Sequence, residues 1–70
     1  MNNLDKLHIE LYSTDRVFQG YASHVSVANQ KVESVQTKNK ALHFSTREAA
    51  NKVCEKIQNI TRECLICNIQ

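Results

Sequence analysis

Seventy residues suffice for one hydrophobic core and are too few for two, since cores below about 40 residues need staples, so residues 1–70 read as a single domain. With 41% apolar and 23% charged residues, the apolar ones regularly spaced, the composition excludes a disordered chain. The net charge of +2 excludes an acidic surface that imitates a phosphate track.

The opening residues carry charges and lack an apolar run, and no stretch is long enough for a bilayer, so neither an export signal nor a membrane span is expected. Three cysteines, an odd number, point to free thiols and a cytoplasmic chain rather than a disulfide framework. With one Gly and no Pro, Asn29, Asn39 and Asn59 become the turn candidates.

Leu7, Ile9 and Leu11 alternate with His8, Glu10 and Tyr12, the period-two pattern of a strand with one buried face. Ser13-Thr14-Asp15-Arg16 reads as a hairpin turn, its hydroxyl and carboxylate groups able to bond nearby backbone N–H groups. A second strand begins near Val17, but neither of its alternating sets is cleanly apolar, which a bulge near Gly20 would explain. A polar turn at Ala28-Asn29-Gln30-Lys31 leads to a third strand over Val32 to Thr37, an edge by its flanking lysines.

Ser45-Thr46-Arg47-Glu48 spells a capping box, so a helix is expected to open on Ser45, with Phe44 and Ala49 as a hydrophobic staple. Beyond it Ala49, Ala50, Val53, Cys54, Ile57 and Ile60 keep helical spacing. A break near Asn59 to Arg62 precedes the apolar run Cys64 to Ile69, expected to be a buried closing strand. The order β-β-β-α-β makes an α+β fold, a mostly antiparallel sheet with one amphipathic helix on one face.

Cys64 and Cys67 have the C-x-x-C spacing of zinc ligands, with Cys54 and His43 upstream, but Leu65 and Ile66 are poor turn residues and residues three apart on a strand face opposite sides. Core thiols, no metal and no cofactor are therefore expected. His8, His24 and His43 have no nucleophile and orienting partner at a telling spacing, and phosphate-loop and nucleophile-elbow motifs are missing, so no catalytic residue is assigned. Lys31 to Lys56 hold the bases Lys31, Lys38, Lys40, Arg47, Lys52 and Lys56 against Glu33, Glu48 and Glu55. Lys38, Lys40, His43 and Arg47 gather around the helix entrance, where an anion or nucleic acid is able to dock, against the plainer reading of a solvated corner. Tyr12 and Tyr21 are candidate anchors of a protein interface; with Phe18 they are too few for a single-strand stacking platform.

Residues Ala41-Leu42-His43-Phe44-Ser45-Thr46-Arg47-Glu48-Ala49 fit a pattern A-x-x-F-[ST]-x-x-E-A that resembles small accessory proteins of phages and mobile elements. Some proteins of this build are anti-CRISPR and other counter-defence inhibitors. The resemblance implies a non-enzymatic inhibitor or modulator of a host protein or nucleoprotein complex, in the host cytoplasm. The motif also resembles three-strand-plus-helix DNA readers of the integrase arm-binding type, which read from the sheet; here the first two strands offer only Lys6 and Arg16 as bases. A small DNA- or RNA-binding regulator is the alternative, and monomer and homodimer both stay open.

Overall fold

A computed structural model of the chain describes residues 7–62 and 64–70; Lys6, one of the two bases read on the sheet, lies outside them. Four strands, β1 (Ile9–Ser13), β2 (Phe18–Ser26), β3 (Lys31–Val35) and β4 (Leu65–Ile69), form one antiparallel sheet ordered β3-β2-β1-β4. The helix α1 (Arg47–Thr61) covers one face, which bears out the expected α+β architecture.

Alternation along β1 decides which face is covered. Ile9 and Leu11 point to α1 and are 0% and 1% exposed, and they meet Ala22 of β2 and Ala50, Cys54 and Ile57 of the helix. Full burial of an Ile or Leu side chain stabilises by about 1.5–3 kcal/mol, and small Ala22 and Ala50 let helix and sheet approach closely. Glu10 and Tyr12, the intervening residues, face the other side.

Both hairpin corners close on left-handed residues. Arg16 has φ 67° and Gln30 φ 51°, while the Ser13 hydroxyl accepts the Val17 N–H at 3.2 Å and the Ser26 hydroxyl accepts the Asn29 N–H at 3.2 Å. Of the expected turn asparagines, Asn29 lies in a turn and Asn39 in a single 3₁₀ turn, Lys38–Lys40, but Asn59 lies inside α1. The helix runs on to Thr61, and Arg62 takes the left-handed cap position, its N–H bonded to the Gln58 carbonyl.

The helix opens one residue later than the capping box predicts. Phe44 exchanges two backbone bonds with Leu7, at 2.8 and 3.1 Å, and this bridge keeps the chain extended past Ser45. Thr46 is therefore the N-cap, its hydroxyl accepting the Ala49 N–H at 3.1 Å. Ala49 turns outward, and Ala50, Cys54 and Ile57 make the buried stripe with Val53 beside them.

The closing strand is likewise not buried as expected. The sheet order leaves β4 at an edge, with Leu65, Cys67 and Ile69 half-buried under α1 and Ile66 42% exposed on the other face. Cys54 is a core thiol as expected, but Cys67 is only partly buried and Cys64, just before the strand, is exposed.

Candidate binding face

Two bulges shape the uncovered face of the sheet. Tyr12 pairs with Phe18 and Leu11 with Gly20, so Gln19 is an extra residue that β1 does not match. The extra residue brings Phe18 and Tyr21, three apart in sequence, onto the same face; an unbroken strand would send them to opposite sides. Gly20 permits this: its φ is 121°, and a Cβ there would lie 2.8 Å from the Val35 carbonyl oxygen. The displaced Gln19 carbonyl accepts from the Gln36 side-chain amide at 3.4 Å. At the second bulge Ser23 is the extra residue, and His24 turns to the uncovered face opposite Glu33.

A row of rings results. Tyr12 meets Phe18 edge to face with centroids 5.6 Å apart, and Phe18 meets Tyr21 at 5.2 Å. Tyr21 meets His8 at 5.2 Å, and His8 faces His43 at 6.3 Å. Edge-to-face contacts of this kind stabilise by about 0.5–1.5 kcal/mol each beyond the area buried. His8 is buried at 7% exposure, whereas Phe18 is 39% exposed and Ile66, across from Tyr12 on β4, continues the apolar surface.

The row is anchored by polar contacts. The Tyr12 hydroxyl donates to a Glu10 carboxylate oxygen at 2.9 Å, and the Asn68 side-chain amide donates to the same oxygen at 3.2 Å. The bond to Glu10, with burial and the carboxylate charge adding to it, raises the Tyr12 pKa above its ordinary 10.0. A shallow depression of about 330 Å³ bordered by Tyr12, Arg16, Ile66 and Asn68 extends the face toward β4.

The site residues read from the sequence are distributed over this frame. Tyr12, Tyr21 and His43 join the ring row. Segment 41–44 carries His43 there, because Leu42 donates its N–H to the Ala22 carbonyl at 2.9 Å and Phe44 pairs with Leu7. Lys38 and Lys40 are exposed on the 3₁₀ turn, while Arg47 borders a groove on the helix side, between α1 and β4. The helix-entrance residues thus occupy different elements, Lys38 and Lys40 on the 3₁₀ turn, His43 on the segment after it and Arg47 at the start of α1. Phe18 and Ile66 were not singled out as site residues; the sequence signal for Phe18 was the bulge forecast at Gly20, followed to its consequence.

On the helix side the thiols of Cys54 and Cys67 interact, which lowers the Cys54 pKa and, with burial adding to it, raises that of Cys67. Among the described residues no group of three or more His, Cys, Asp or Glu is placed to hold a metal ion, and no helix is long and apolar enough to cross a membrane. The chain matches no family model, no curated protein and no solved structure.

Proposed function

We propose that this chain is a non-enzymatic binding protein whose uncovered sheet face docks onto a protein surface and masks it. The observation that carries the reading is the contiguous row Tyr12, Phe18, Tyr21 with Ile66 on a face that no element of the described chain covers. Aromatic anchors dominate interface energetics, and rings already fixed by their neighbours lose little freedom on binding.

Charge favours a protein over a phosphate backbone as the partner. Glu10 sits inside the row, Lys31 is paired with Glu33 at 3.4 Å, and Arg16 is the base beside the depression. A nucleic-acid face would need several bases free for phosphates. The resemblance at Ala41 to Ala49 points the same way, toward a phage or mobile-element modulator that acts on a host protein or nucleoprotein complex by occupying a surface in the host cytoplasm.

The test is capture from nuclease-treated host lysate by the native chain, a Phe18→Ala/Ile66→Ala variant and a Lys38→Ala/Lys40→Ala variant. A protein that the native chain and the lysine variant retain and the aromatic variant loses supports the reading. Capture seen from untreated lysate that vanishes with nuclease assigns the function to nucleic-acid binding, and capture lost in the lysine variant but kept by the aromatic variant moves the contact to the 3₁₀ turn; either result refutes the reading.

A further inference from the structure

The two edges of the sheet differ in a way that bears on assembly. β3 carries Lys31 and Glu33, charges of the kind that keep an exposed edge from pairing with another chain. Residues 64–70, which contain β4, hold no charged residue, no Pro and no Gly, and no bulge interrupts their pairing with β1.

The backbone register fixes what β4 offers outward. His8 and Gln70 exchange both N–H to carbonyl bonds, at 3.1 and 2.9 Å, so they are a hydrogen-bonded pair of the antiparallel ladder. Pairs alternate along such a ladder, which directs the backbone groups of Ile66 and Asn68 at β1 and those of Leu65, Cys67 and Ile69 away from it. Among the described residues no strand lies beyond β4 to receive them.

We infer that a second copy of this chain pairs antiparallel with β4 about a two-fold axis at Cys67, joining the two sheets into one of eight strands. This register uses every outward group: Leu65 bonds with Ile69 of the other copy, and Cys67 with its own counterpart. Shifting the axis to Ile66 or Asn68 leaves one of the three outward residues without its mate inside β4. Charge agrees, because two neutral edges meet where two β3 edges would juxtapose charged side chains. Ile66 then stands directly across from Asn68 of the other copy in a non-hydrogen-bonded pair, where cross-strand side chains are closest. The ring rows of the two copies lie on the same face of the joined sheet, on either side of the axis.

The test changes only exposed side chains. Ile66→Lys/Asn68→Lys sets like charges opposite each other across the axis, whereas Ile66→Glu/Asn68→Lys sets opposite charges there with the same number of changes. Sedimentation equilibrium over a concentration series is expected to give twice the 8.0 kDa chain mass for the native protein and for the Glu/Lys variant. The Lys/Lys variant should stay a monomer at concentrations at least tenfold higher, with an unchanged circular dichroism spectrum. A native chain that stays monomeric throughout, or two variants that associate alike, overturns the inference. Because it rests on backbone pairing rather than on the ring row, its failure leaves the proposed function standing.

Discussion

Tyr12 and Phe18 meet edge to face at 5.6 Å, with ring planes 65° apart, across a bulge that gives β2 one residue more than β1. Phe18 keeps 39% of its surface exposed, so it contributes little to the core and much to the uncovered face. Phe18→Ala should therefore cost about 1–3 kcal/mol in urea unfolding, the worth of its two ring contacts, while leaving the chain folded, and weaken partner binding by roughly tenfold or more, as truncation of an interface anchor does. Unchanged affinity with the fold intact would remove Phe18 from the interface.

The bulge itself depends on Gly20. A Cβ there meets the Val35 carbonyl oxygen at 2.8 Å, and φ of 121° is one that L side chains rarely adopt. Gly20→Ala should destabilise the protein by about 1–3 kcal/mol in chemical denaturation. A loss within the error of such a measurement would mean that the bulge is held by something else.

The helix cap makes a sharper test because two adjacent hydroxyls compete for it. The Thr46 hydroxyl accepts the Ala49 N–H, so Thr46→Ala should cost about 1 kcal/mol, and Ser45→Ala close to nothing. Urea unfolding of the two variants decides the matter; the reverse order would return the cap to Ser45.

Tyr12 gives a pH signature. Its bond to Glu10 favours the protonated phenol, so the folded pKa lies above 10.0. Stability from this contact is complete below the unfolded value and is lost as the pH rises through the higher folded value. In an ultraviolet titration of tyrosine ionisation, Glu10→Gln should move the Tyr12 transition down toward 10.0. A transition that does not move would show that Glu10 is not the cause.

Period two in β1 and the helical stripe through Ala50, Cys54 and Ile57 were legible in the sequence because both are repeated local patterns, and they delivered the fold class. The cap was misplaced by one residue because the contact that delays the helix, Phe44 with Leu7, is long-range. The closing strand was read as buried because an apolar run does not report its place in the sheet; only the order β3-β2-β1-β4 makes it an edge. The ring row was half legible. Tyr12 and Tyr21 stood out as anchors, but simple alternation assigns Phe18 and Tyr21 to opposite faces, and the extra residue at Gln19 reunites them. The helix-entrance residues clustered in sequence, but segment 41–44 leads His43 to the sheet face while Arg47 begins the opposite layer, a divergence that sequence proximity does not report.

The claim that the uncovered face is the docking surface is tested most directly by site-specific photo-crosslinking in the host cell. A photoreactive phenylalanine analogue replaces Phe18, Ile66, Lys40 or Lys56, one at a time. Covalent capture of one protein from positions 18 and 66, with none from 40 and 56, is the predicted result. Crosslinks that arise from 40 or 56 while 18 and 66 stay silent would contradict it.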